Sequence, residues 1–241
     1  MIETIIQGKS GNTELAAHNP SEELKFLSVT DIEKPLPMQK TNQGDSQVIW
    51  NLRRVFEDAV RAMGQMMEVR DPYTAGHQSR VSQICVEIAR LMDLPAFQIK
   101  GLELAALVHD VGKLAIPSEI LSKPGRLSNL EFDLIKTHPQ VGYDIMKSIE
   151  FPWPVAVTIL QHHERIDGSG YPGGLGEGEI CLEARILGVA DVIEAMSSNR
   201  PYRPALGISL ALEEICKNKD KLYDADIVDA SLEYYATNPI D

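Results

Sequence analysis

Two short strings concentrate groups that hold cations. They are His109-Asp110, with Lys113 three residues beyond the aspartate, and His162-His163, followed by Glu164. His77 and His138 add one imidazole each, and Asp191 interrupts the apolar run Leu187-Gly188-Val189-Ala190-Asp191-Val192-Ile193. A carboxylate in such surroundings is very costly unless it is paired, hydrogen-bonded or bound to a metal. Adjacent residues on a helix point about 100° apart, so His109 and Asp110 could embrace one site, or the aspartate could bridge two metals. Lys113 returns to the same face if the helical turn continues. Taken singly, a His-Asp pair is most often a capping or hydrogen-bonding pair, and a single histidine is most often a satisfied structural residue. Taken together, five of the six histidines near helix ends, with two aspartates in apolar helices, point to first-row transition metals. A two-metal site clamps a phosphoryl group while generating hydroxide.

Helices must carry these groups. Trp50, Val55, Ala59, Ala62 and Met66 recur at helical spacing, so a helix is expected from Val48 to Met67. A second is expected over 75–92, with Val81, Ile84, Cys85, Ile88 and Leu91 as its apolar face. A third is expected over 95–109, opened by Pro95, whose missing N–H costs nothing in a first turn. Further helical patterns cover 129–137, 139–148, 152–162, 180–197, 208–217 and 225–235, and Ser128 with Glu131 forms a capping-box signature. Alternating β-branched runs bounded by hairpin turns are nearly absent. Residues 167–178 contain six of the seventeen glycines and read as a shaped loop. The expected class is all-α with one glycine-rich loop.

The 241 residues carry 35 acidic and 23 basic side chains, a net charge of −12. Such a balance argues against binding DNA or RNA, whose backbone needs clustered Lys and Arg. Cys85, Cys181 and Cys216 are far apart, which excludes a disulfide scaffold or zinc ribbon and fits a reducing compartment. No apolar run approaches the roughly 18–20 residues of a membrane span, and the N-terminus lacks signal-peptide features. A cytoplasmic protein is expected. Residues 1–50, with seven acidic and four basic residues and several prolines, read as a poorly defined arm or small input module. Residues 51–241 read as the functional domain, and the apolar face of the helix from Val48 to Met67 is a candidate homodimer contact.

In order and spacing, several segments together resemble the HD-GYP domain, the cyclic-di-GMP phosphodiesterase branch of the HD phosphohydrolase superfamily. They are Arg70-Asp71-Pro72-Tyr73-Thr74-Ala75-Gly76-His77, His109-Asp110-Val111-Gly112-Lys113, Lys123-Pro124-Gly125 and His138-Pro139. They continue with His162-His163-Glu164-Arg165-Ile166-Asp167-Gly168-Ser169-Gly170-Tyr171-Pro172, Val189-Ala190-Asp191-Val192 and Ser198-Asn199-Arg200-Pro201-Tyr202-Arg203. An HD dipeptide alone is weak; these segments in series are very specific.

The resemblance implies an HD-domain helical bundle with additional C-terminal GYP helices. It implies His77, His109, Asp110, His138, His162, His163 and Asp191 as metal ligands, with Asp110 bridging two divalent ions, iron or manganese. Some members of the family place a glutamate four residues before the first histidine and bind a third metal. Tyr73 occupies that position here, so a dinuclear centre is expected. Asp110 and Lys113 are the implied catalytic residues, and Lys113, Arg200, Arg203 and Tyr171 the implied substrate contacts. Glu164, Asp167, Gly170 and Pro172 read as loop-fixing groups behind the ligands. The implied activity is hydrolysis of cyclic-di-GMP to pGpG, and further to GMP. The alternatives are a hybrid cyclic GMP–AMP substrate or a catalytically weak cyclic-dinucleotide receptor that signals to partner proteins.

Overall fold

In the computed structural model, residues 43–71, 75–198 and 205–238 are described, nearly all within one compact unit, Val48–Asp241. Most of the arm of residues 1–50 lies outside the described residues. The elements in chain order are α1 (Gln43–Arg70), α2 (His77–Leu91), α3 (Ala96–Val108), a 3₁₀ turn (Val111–Ala115) and the single turn α4 (Ser118–Leu121). Next come α5 (Asn129–Ile135), α6 (His138–Met146), α7 (Val155–Gln161), a 3₁₀ turn (Glu177–Glu179), α8 (Leu182–Ser197), α9 (Ile208–Lys217) and α10 (Ala225–Thr237). Among the described residues no strand forms; isolated bridges join Asp167 to Gly176 and Lys219 to Tyr223. The fold is all-α.

Local chemistry accounts for several boundaries. Ser128 accepts from the Glu131 N–H while the Glu131 carboxylate accepts from the Ser128 N–H at 2.7 Å, so the capping box forms at the start of α5. Asp224 caps α10 by accepting from the Asp226 and Ile227 N–H groups, and Arg185 of α8 donates to its other oxygen. Pro139 sits in the first turn of α6, where no intrahelical donor is needed.

Two apolar clusters share α3. One joins Val81, Cys85 and Ile88 of α2 to Leu102 and Ala106 of α3, Ile186 and Ile193 of α8, and residues of α9 and α10. The other joins Val60 and Met67 of α1 to Leu104, Ala105, Leu107 and Val108 of α3, with Met146 and Ile159 of α6 and α7. Because α3 is covered on both sides, its sequence from Leu102 to Val108 is apolar almost throughout.

Two local features differ from the sequence expectations. Helix α3 stops at Val108, so Lys113 reaches Asp110 through a 3₁₀ turn and not a continued α-helix. The one-turn helix α4 carries no periodicity that could announce it. Helix α1 packs on its own domain through Val60, Met67 and the partly buried Met63, and it leaves the expected apolar face of Trp50, Val55, Ala59, Ala62 and Met66 exposed.

The close seat of α6 on the first 3₁₀ turn depends on Gly112. A Cβ there would lie 1.9 Å from the His138 carbonyl oxygen and 2.6 Å from the Gly142 nitrogen, both backbone atoms. Neither can yield without moving α6. Gly112→Ala is therefore expected to cost about 1–3 kcal/mol of stability and to displace His138. Thermal unfolding together with metal content per chain checks this, and an unchanged midpoint with unchanged metal content would contradict it.

Candidate metal centre

The seven ligand candidates arrive from separate parts of the fold. His77 is the first residue of α2, His109 and Asp110 follow the end of α3, and His138 opens α6. His162 and His163 follow α7, and Asp191 lies in the middle of α8. All five rings and both carboxylates meet where the ends of these helices converge.

Three of the rings are oriented in one way. The Nδ1 atoms of His109, His138 and His162 lie 2.8, 2.8 and 2.6 Å from the carbonyl oxygens of Ala106, Ile135 and Ile159. A carbonyl can only accept, so each Nδ1 carries the proton and each Nε2 keeps its lone pair for a cation. The three acceptors each sit three residues before their histidine, among the last carbonyls of a helix, which have no intrahelical partner. Helix termination and ligand tautomer are thus satisfied by one hydrogen bond. His77 is held differently, with Nδ1 in a very short contact to the Glu194 carboxylate.

The Nε2 atoms converge on carboxylate oxygens. Asp110 Oδ2 lies 3.9 Å from His77 Nε2 and 3.7 Å from His109 Nε2, while its Oδ1 lies 3.5 Å from His138 Nε2. Asp191 Oδ1 lies 3.3 Å from His77 Nε2 and 3.9 Å from His109 Nε2. His138 Nε2 and His162 Nε2 are 3.4 Å apart. Donor atoms within 4.8 Å of one another form the sets His77/His109/Asp191, His138/His162/His163 and His109/Asp110/His162. Asp110 stands between the first two sets with one oxygen toward each. This donor set of imidazole nitrogens and carboxylate oxygens fits first-row transition metals.

Charge in the centre is arranged for cations. Burial drives the rings toward neutrality: His138 falls to about 4, His109 is lowered, and His162 and His163, also crowded by neighbouring imidazoles, lie well below the ordinary range. Burial acts to raise Asp110, but Lys113 and the surrounding histidines outweigh it and hold the carboxyl well below its usual value. Asp191 behaves likewise, chiefly through His77. His77 is the exception. Burial acts to lower it, but Asp191 and Glu194 raise it to about 9.

The remaining candidates divide. Lys113 Nζ donates to Asp110 Oδ2 at 2.7 Å. Glu164 is buried and accepts from the Gly173 and Leu175 N–H groups at 2.6 and 3.0 Å, so it ties the glycine-rich loop together and does not face the ring cluster through these oxygens. Asp167 is exposed and accepts from the Ser169 N–H within the loop. Gly170 sits on the backbone of Glu164 and Arg165, and Pro172 is exposed. The Tyr171 ring lies against His163 with centroids 4.7 Å apart, and burial raises its hydroxyl. Tyr73, Arg200 and Arg203 lie outside the described residues.

Sequence reading missed Glu194 and Gln78. Glu194 is buried in α8, one turn beyond Asp191, and binds His77, Arg80 and Ser198. Burial acts to raise its carboxyl, and His77, Ser198 and Arg80 together bring it down to about 2. Its three-residue spacing from Asp191 was a usable signal, because both then share a helix face. Gln78 of α2 donates to Asp110 Oδ2 at 3.2 Å, and no spacing announces that contact.

With this geometry in view, comparison with known proteins assigns the class. A family profile described as "HD domain" matches residues 61–227, and the chain belongs to that family. Within it, the chain falls in the HD-GYP branch that its motifs resemble. It is 38% identical over 177 residues to the cyclic di-GMP phosphodiesterase response regulator RpfG of Xanthomonas campestris pv. campestris, covering 73% of this chain and 47% of that protein. It is 36% identical to the 3'3'-cGAMP-specific phosphodiesterase 3 of Vibrio cholerae serotype O1, covering 71% of this chain and 37% of the relative. The chain therefore spans less than half the length of these relatives. Among solved structures, Bd1817, a HDG"Y"P protein from Bdellovibrio bacteriovorus, shares the fold with a TM-score of 0.56 at 21% identity, covering 66% of this chain and 51% of that one.

Two predictions follow from the anchoring and charge of the centre. Glu194→Gln removes the charge that holds His77 and is expected to weaken metal binding by about 10–100-fold, measured by chelator competition. Wild-type affinity in the variant would remove Glu194 from the site's design. The second concerns pH. In metal-free protein the His138 ring stays neutral down to about pH 4 while the unfolded chain takes up protons near 6.5, so stability falls as pH falls between those values. The contribution of His77 runs the other way: complete below 6.5, it is lost as pH rises through about 9. The urea midpoint of chelator-treated protein is thus expected to peak near pH 6.5, and a steady rise from acid to alkaline pH would contradict it.

Proposed function

We propose that this chain hydrolyses cyclic-di-GMP to pGpG, and onward to GMP, using two divalent transition metals, iron or manganese, held by His77, His109, Asp110, His138, His162, His163 and Asp191. One observation carries the proposal: the buried Asp110 carboxylate stands between two sets of three donors with one oxygen toward each. When bound, two cations supply Lewis acidity to the phosphate and lower the pKa of an attacking water. The chain's own residues then have distinct tasks. The Nδ1–H bonds of His109, His138 and His162 keep their Nε2 lone pairs aimed inward. Lys113, bonded to Asp110, sets a positive charge beside the carboxylate, where it meets a non-bridging oxygen or the leaving 3′-oxygen. Arg200 and Arg203 follow Asp191 by nine and twelve residues and provide planar donor forks for the second phosphate or a guanine.

Substrate choice is supported by the names of several relatives at 32–38% identity, which are cyclic di-GMP phosphodiesterases. The net charge of −12 speaks against nucleic-acid polymers, while cations held by these histidines and aspartates would give a small dianion a local attraction. No helix among the described residues is long and apolar enough to cross a membrane. We infer work in the cytoplasm, consistent with free Cys85, Cys181 and Cys216.

Anaerobically purified protein is expected to contain two metals per chain and to turn over cyclic-di-GMP faster than 3'3'-cGAMP. Asp110→Ala is expected to lose turnover on the order of 10²–10³-fold or more. Tight dinucleotide binding without hydrolysis in iron or manganese would replace the enzyme with a receptor, and three metals per chain would refute the dinuclear assignment.

A further inference from the structure

Helix α1 carries two apolar stripes, and its own domain uses one. Val60 and Met67 are buried against α3 with Met63 beside them, and Phe56 lies against Phe151 with ring centroids 5.8 Å apart. A Cβ at Gly64 would lie 2.4 Å from the Leu107 carbonyl oxygen, so the helix sits as close to α3 as backbone allows. Arg61–Glu103 and Lys100–Glu57 ion pairs, at 2.5 and 2.7 Å, clamp the same side. This side is occupied.

The other stripe is Val48, Leu52, Val55, Ala59, Ala62, Met66 and Val69, spaced alternately by four and three residues without exception. Val48, Leu52, Val55, Met66 and Val69 are 57, 64, 65, 60 and 84% exposed, and both alanines are exposed. A straight helix drifts about 20° per heptad relative to a 3.5-residue repeat. An apolar stripe kept in strict register over three heptads therefore matches a supercoiled partner helix better than a flat surface.

We propose that this stripe is the seam of a parallel two-stranded coiled coil with a second copy of this chain. The stripe offers on the order of 600 Å² per helix, or ~1,200 Å² for the pair, which reaches the lower end of stable interfaces. In a parallel, in-register pair the flanking positions meet as Asn51 with Phe56, Asp58 with Met63, and Gln65 with Arg70. Between Val48 and Arg70 no like charges face each other across the seam or these flanking positions, so that stretch is compatible with a second copy of itself. Ala59 and Ala62 let the two backbones approach at mid-seam. The pairing also sets the partner one helix width from the Leu107 carbonyl, two residues before His109.

Light scattering on the full chain should give twice the 26.7 kDa of one copy at micromolar concentration. Leu52→Glu with Val55→Glu places charges in the seam but not in the domain core, and should give a folded monomer with unchanged metal content and a thermal midpoint that no longer depends on protein concentration. A Val55→Cys substitution in a Cys216→Ser background should cross-link to a dimer under mild oxidation, because equivalent seam positions face each other. A full chain monomeric at about 100 μM, an unchanged mass in the double variant, or a dimer that Val55→Cys cannot cross-link would overturn the proposal.

Discussion

The Nδ1–H groups of His109, His138 and His162 each donate to the carbonyl three residues earlier, and much of the structure depends on that repeated bond. A helix end buried in a bundle leaves carbonyls without partners, and a buried imidazole needs one nitrogen committed before the other can be aimed. Placing a histidine just past the end of a helix meets both requirements at once. It also ties the direction of each ring to helix termination: a helix extended or shortened by one residue would swing the ring by about 100°.

Around those rings the bundle solves a charge problem. Two carboxylates, Asp110 and Asp191, are held ionised in a buried setting by the surrounding histidines and Lys113. That arrangement is tolerable because each acid has several partners and because α2, α3, α7 and α8 all abut the same point. Helix α3 is the common wall of the two apolar clusters, so its C-terminal end, with His109 and Asp110, is located by packing on both sides. The glycine-rich loop contributes in a different manner. Glu164 gathers two loop N–H groups immediately after the His162-His163 pair, which fixes the chain as it leaves the centre.

Much of this is legible in the amino-acid sequence. Helix positions followed from apolar spacing because most helices bury one stripe, and the all-α class followed from the absence of period-two alternation. The ligand candidates were conspicuous because histidine is scarce in this chain and Asp191 stands in an apolar run. Other features were not. Spacing on α1 revealed an apolar stripe but not which stripe its own domain covers, since periodicity reports a face and not its neighbour. The spacing of Glu194 from Asp191 marks a shared helix face but not its partner, since its meeting with His77 joins residues 117 positions apart. The 3₁₀ turn that brings Lys113 to Asp110 is too short for any period to register.

By itself, then, the sequence determined which histidines and aspartates stand out as candidates to hold a cation, and which segments must be helices. Tertiary structure decided the grouping: that Asp110 turns one oxygen to each set of donors, that Glu194 holds His77, and that Tyr171 lies on His163. The physical reason is range. Helix propensity and amphipathicity act between residues within a few positions of one another, whereas the direction of a ring or carboxylate is set by whatever distant segment packs against it.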